Sequence, residues 1–214
     1  MPSRAHDTTE VPSGMERIVF FSDAVMAITI TLLVLDIRLP EATGLVGPTL
    51  ASQVLALAAK YLGYAVSFWV IALYWVAHLR CFRYIRRYDR RLIYLNFLFL
   101  MFIAFMPFPT SLLFTTASSL ISVLFYAGTA AGMGLSLAAL WVYAGRHKFI
   151  VNTISARIVL EIRRNLVYPP LVFLLSMGIA FINANAAVFS WLLLLPVYAL
   201  LRHSEAPVMS DVLG

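Results

Sequence analysis

The sequence predicts an all-α integral membrane protein with six transmembrane helices per subunit. Three observations carry that prediction. The 214 residues are 62% hydrophobic and only 12% charged, and mean hydropathy is +0.87, whereas a soluble domain runs nearer half apolar and a quarter charged. Six apolar stretches are long enough, or nearly so, to meet the ~20 residues a spanning helix needs. Arg and Lys gather on alternate connections, as in a multi-pass chain.

Residues 1–16 are polar, with Pro2, Pro12 and Gly14, and read as a short disordered cytoplasmic tail. The membrane domain is expected over 17–203, with a second cytoplasmic tail at 204–214. Span one runs over about 17–39 and stops at Pro40. Span two falls within 50–79, a stretch longer than a bilayer requires. The basic run that follows pins its inner end, so it is expected at 60–79, with Lys60 at the outer interface and 50–59 protruding. Span three covers about 92–114, with Pro107 and Pro109 at its far end. Span four covers about 118–144 and ends at Gly145.

The connection 149–164 has Ile154, Ile158 and Ile162 at helical spacing with charges between them. That pattern predicts an interfacial helix lying under the membrane. Span five is expected at 165–182 and contains Pro169 and Pro170; span six follows at 186–201, after a tight turn at 183–185. The four prolines are expected to kink or end helices. Gly128-x-x-x-Gly132 reads as close helix packing, and Trp141 and Tyr143 as interfacial anchors.

Six spans put both termini on one side. Arg80, Arg83, Arg86, Arg87, Arg90 and Arg91 crowd the connection between spans two and three. Arg146, Lys148, Arg157, Arg163 and Arg164 lie between spans four and five, while the opposite side carries Arg38 and Lys60. The termini are therefore expected in the cytoplasm. The same bias accounts for the net charge of +6, so no nucleic-acid partner is implied. The single Cys81 excludes an intrachain disulfide. The chain has no H-E-x-x-H, no G-x-S-x-G and no TVGYG. Zinc proteolysis and an α/β-hydrolase nucleophile are thereby excluded, and so is a carbonyl-ring ion filter. No cofactor is implied.

Span one opens RIVFFSDAVMAI. At 100° per residue, Ala24, Ile28, Thr31 and Leu35 share a narrow arc with Leu32 beside it. This is an apolar seam with a hydroxyl in it, consistent with plain helix packing. Asp23 points more than a right angle away. A charge at mid-membrane costs ~2.5–3.5 kcal/mol on insertion scales; near the cytoplasmic end the cost is smaller, but a buried Asp23 still requires partners. The candidates are Arg17, Ser22 and the inner end of span two, Tyr74, Trp75 and His78. Two readings stand side by side at this point, a polar clasp that only packs helices and a functional carboxylate.

RIVFFSDAVMAITITLLVLDIRLP resembles the first-helix signature, R-x-x-x-F-S-D followed by A-[VI]-x-A-I, of bacterial relatives of the lysosomal potassium channel transmembrane protein 175. YWVAHLRCF at 74–82 resembles that family's second-helix end. LNFLFLMFIAFMPFPTSL at 95–112 resembles its third helix, with Asn96 and the PFPT ending. The likeness is specific over roughly 17–112 and consistent in span number beyond.

The resemblance implies a homotetramer with the first helix of each subunit lining a central pore. It implies a leak-type channel for K⁺ and other monovalent cations in the bacterial plasma membrane. The family's constriction maps onto Ile28, Leu32 and Leu35, and its hydroxyl layer onto Thr31. Arg17, Phe21, Ser22 and Asp23, with Trp75, His78 and Asn96, are implied to support the pore helix without lining the pore. Asp36 reads either as an outer cation-attracting vestibule or as a solvated helix end beside Arg38 and Glu41. Two other functions remain open on the residues alone. One is a proton-coupled transporter relaying through Asp23 and His78; the other is a structural membrane protein that conducts nothing.

Overall fold

The structure is a computed structural model that describes residues 14–37, 57–115, 119–151 and 154–194. The sequence expectations for 1–13, 38–56 and 195–214 lie outside the described residues.

The described residues form six helical rods joined by short connections. α1 (Gly14–Leu32) tightens into a 3-10 turn at Leu33–Asp36. α2 spans Ala58–Tyr84. α3 (Arg90–Phe105) breaks at Met106 and resumes as α4 (Pro107–Thr115). α5 is Leu120–Arg146 and α6 is Ala156–Ala180. α7 (Ala184–Ser190) runs into a 3-10 turn at Trp191–Leu194. Four stretches, Gly14–Leu35, Lys60–Tyr84, Arg90–Phe114 and Leu120–Arg146, are long and apolar enough to cross a bilayer.

Side-chain oxygens start the helices. Asp89 accepts from the Leu92 amide ahead of α3. Ser119 and Ser122 form a reciprocal capping box at α5. Ser155 caps α6 and Asn183 caps α7. Each satisfies backbone donors that the helix itself leaves unpaired. The turn expected at 183–185 is thus a cap, and the last helix begins at Ala184.

Two expectations are corrected and one, the kink or end expected at Pro169 and Pro170, is narrowed. The 149–164 segment is not a separate interfacial helix: from Ala156 it continues as one helix into the apolar stretch behind it. Pro169 and Pro170 lie inside α6 and do not end it. Gly134 of α5 lies beside them, and a Cβ there would come within 2.7 Å of the Pro170 ring. A bare backbone leaves room for that ring between the helices. Trp141 is not an interfacial anchor but is buried in the core. Of the two spaced glycines, Gly132 lies hard against the Phe102 ring, whereas Gly128 has only Met177 at 3.9 Å. The close approaches therefore fall at Gly132 and Gly134.

α5 is the hub, packing on α3 and most extensively on α6. Within the subunit, 61% of its spanning window is buried, against 22% for α1. α1 is therefore a peripheral helix, braced by α2 and α3, with most of its surface turned away from the core. At the end rich in basic residues, an antiparallel bridge joins Ile85 to Ile150. Its bonds run from the Arg86 amide to the Phe149 carbonyl and from the Val151 amide to the Tyr84 carbonyl, both at 2.9 Å. Beside it the Tyr143 hydroxyl donates to Asp89. That bond and the Leu92 amide hold the Asp89 carboxyl below its ordinary range. Arg80 and Glu161 pair at 3.4 Å and tie α2 to α6.

Candidate pore helix and its supporting network

α1 divides its faces cleanly. Ser22, Met26, Thr29 and Leu33 are buried against the subunit. Ala24, Ile28, Thr31 and Leu35 form the roughly opposite stripe and are exposed, with Ile28 at 58% and Leu35 at 61%. Leu32, on the flank, is 44% exposed. The spacing i, i+4, i+7, i+11 produces both stripes, offset by two residues.

Hydroxyls on this helix are tied to its own backbone. Ser22 donates to the Ile18 carbonyl at 2.8 Å, Thr29 to Val25 at 2.8 Å and Thr31 to Ile28 at 2.7 Å. A Thr hydroxyl has one proton and two lone pairs. With its proton directed backward, Thr31 presents oxygen lone pairs on the exposed stripe, which suits a cation.

Two polar links hold α1 to its neighbours. The Trp75 indole on α2 donates to Asp23 Oδ1 at 2.8 Å. The Asn96 amide on α3 donates to Ser22 Oγ at 2.9 Å, and Asn96 Oδ1 faces His78 Nε2 at 3.0 Å. Since the Asn96 nitrogen is committed to Ser22, this network assigns the His78 proton to Nε2. A directed chain then runs His78 to Asn96 to Ser22 to the Ile18 carbonyl, linking three helices. His78 and Ser22 are fully buried and Asn96 is 1% exposed. The His78 ring stacks on Phe82 at 4.3 Å and on Phe99 at 5.5 Å. Its Nδ1 is buried without a partner.

The predicted support residues are thus brought together in part. Ser22, Asp23, Trp75, His78 and Asn96 form the two links. Phe21 packs edge-on to Phe97 at 5.8 Å. Arg17 is exposed, and Asp23 accepts from Trp75, not from Arg17. Asp23 and His78 are bonded to different partners, so no direct relay joins them. Asp36 closes the 3-10 turn after α1. Three further hydroxyls, Ser67, Thr110 and Tyr126, meet inside the bundle and escaped sequence reasoning. The one available signal was their position in apolar stretches, where a polar group must find a partner.

A polytopic helical membrane protein, with a peripheral helix braced by buried polar links and an apolar, hydroxyl-bearing stripe left uncovered, is the class this geometry defines. A family model described as endosomal/lysosomal potassium channel TMEM175 matches residues 17–107. A potassium channel of Streptomyces collinus is 36% identical over 173 residues, covering 78% of this chain and 83% of that protein. A potassium channel of Chamaesiphon minutus is 32% identical over 185 residues, covering 84% and 91%. The crystal structure of a lysosomal potassium-selective channel TMEM175 homolog from Chamaesiphon minutus superposes with a TM-score of 0.72 at 31% identity. That match covers 88% of this chain and 98% of the other. The chain belongs to the TMEM175 family, which is a family of ion channels and not of enzymes.

Proposed function

We propose that this chain is the subunit of a K⁺-permeable, leak-type cation channel in which four copies of α1 surround the conduction path. The observation that carries the reading is the uncovered stripe of α1, Ala24, Ile28, Thr31 and Leu35, on the least buried of the four long apolar spans. One such helix cannot enclose a pore, so the reading requires assembly. The two bacterial relatives bearing the name potassium channel support the permeant ion.

Rings of Ile28, Leu32 and Leu35 form the constriction. Such a ring is narrow and hard to wet, and dewetting is a recognised gate. An ion passing it loses water that alkyl groups cannot replace. Thr31, with its lone pairs free, offers partial compensation one turn from Ile28 and biases the path toward K⁺. The two polar links hold the stripe in register without touching the ion. Asp36 forms the outer vestibule. The basic connections face the cytoplasm, together with both termini, in a bacterial plasma membrane, and all six rods cross the bilayer.

Planar-bilayer recording with ion substitution tests the reading. Ile28→Asn, which wets the ring, should raise the unitary K⁺ current. Thr31→Ala should lower the K⁺/Na⁺ permeability ratio. Unchanged currents in Ile28→Asn, from protein that reconstitutes normally, would remove the constriction from this face of α1.

A further inference from the structure

The PFPT segment at 107–110 has no role in the channel as described so far. It opens α4, a helix of nine residues, too short to hold its place by its own backbone bonds. What holds it is a junction of hydroxyls from three helices. Thr110 Oγ1 of α4 lies 2.9 Å from Ser67 Oγ of α2. Ser67 in turn lies 3.2 Å from the Tyr126 hydroxyl of α5. The same Thr110 oxygen is 2.8 Å from the Met106 carbonyl, at the break between α3 and α4. Ser67 and Tyr126 are fully buried and Thr110 nearly so. Tyr126 is further fixed by stacking on Trp191 at 4.7 Å. Gly63 of α2 lets the Phe114 ring of α4 come close enough that any Cβ there would collide with it.

The 3-10 turn Leu33–Asp36 at the end of α1 packs on α2 and on α4. Leu33 is buried there, while Leu35, two residues on, is 61% exposed. A 3-10 turn advances about 120° per residue and an α-helix about 100°. Conversion of this turn to α-helix would therefore swing Leu35 by roughly 40° relative to Leu33. The direction of Leu35 depends on what seats the turn, and α4 is one of its supports.

We propose that Thr110 is a positioning residue for the pore: its hydroxyl seats α4 under the Leu33–Asp36 turn and thereby sets the direction in which Leu35 points. The inference rests on the reading of α1 as the pore helix. In the hydrocarbon region no water replaces a lost hydroxyl contact, so removing the Thr110 hydroxyl shifts the seat and not merely its solvation.

The experiment is unitary K⁺ current in planar bilayers for Thr110→Val and Thr110→Ser, each also in Leu35→Ala and Ile28→Ala backgrounds. Thr110→Val should change the current about three- to ten-fold, the range that a lost intramembrane or buried hydrogen bond commands. Thr110→Ser should restore it. The change should vanish in Leu35→Ala and persist in Ile28→Ala. Where Thr110→Val reconstitutes poorly, Tyr126→Phe removes a different hydroxyl of the junction, keeps the stack on Trp191 and carries the same comparison. An equal change in the Leu35→Ala background overturns the inference, as does wild-type current in Thr110→Val. A Leu35→Ala protein with wild-type current defeats instead the pore reading at that position, and this inference falls with it.

Discussion

Replacing Asn96 by Leu should cost far more than replacing His78 by Phe, although the two share one hydrogen bond. Asn96 accepts from His78 Nε2 and donates to Ser22. Asn96→Leu strands a buried imidazole N–H, at about 1–3 kcal/mol, and deletes a second neutral bond worth roughly 0.5–1 kcal/mol. The sum is about 1.5–4 kcal/mol. His78→Phe strands only the Asn96 oxygen, and it also removes Nδ1, which is already buried and unpaired. Those two terms are of similar size and opposite sign. The new ring keeps the stack on Phe82 and Phe99, so the net cost should be about 0–1 kcal/mol. The expected gap of about 2 kcal/mol corresponds to roughly 4–8 °C in melting temperature for a chain of this size. Thermal denaturation in detergent, followed by size-exclusion of the intact protein, reads it directly. Equal melting temperatures for the two variants would refute the directed chain from His78 through Asn96 to Ser22.

Trp75→Phe should destabilise by about 0.5–1.5 kcal/mol, because it strips Asp23 of its indole donor; denaturation in detergent measures it. Gly134→Ala should cost about 1–3 kcal/mol through overpacking against Pro170 and Tyr74, while Gly128→Ala should be neutral within error; paired melts of the two variants check the contrast. The stabilisation from the Asp89 carboxyl is present above the ordinary carboxylate value and is lost as pH falls through the lower value the folded protein imposes. Tyr143→Phe should remove the largest part of that effect, so acid titration of stability should show a shallower loss below about pH 4.

The sequence by itself determined the solvent, the helical class and the division of α1 into two faces. Hydropathy and the bilayer's thickness leave few alternatives to a helix at those lengths, and a period of 3.6 gathers Ala24, Ile28, Thr31 and Leu35 on one side and turns Asp23 away from it; the structure added that Ser22, Met26, Thr29 and Leu33 form the buried face. It also placed Trp75 among the partners of Asp23, since a carboxylate in an apolar run must be met by a donor at its own depth. Only the tertiary structure decided which donor answered which acceptor: Trp75 and not Arg17 for Asp23, and Asn96 rather than Asp23 for His78. Those choices depend on how three helices rotate about one another, and local spacing carries no record of that rotation. The same holds for α6, which runs through Pro169 and Pro170 past the bare backbone of Gly134, and for the junction of Ser67, Thr110 and Tyr126. In each case the deciding contact joins residues at least 18 positions apart, and the shape of the gap between packed helices determines whether they meet.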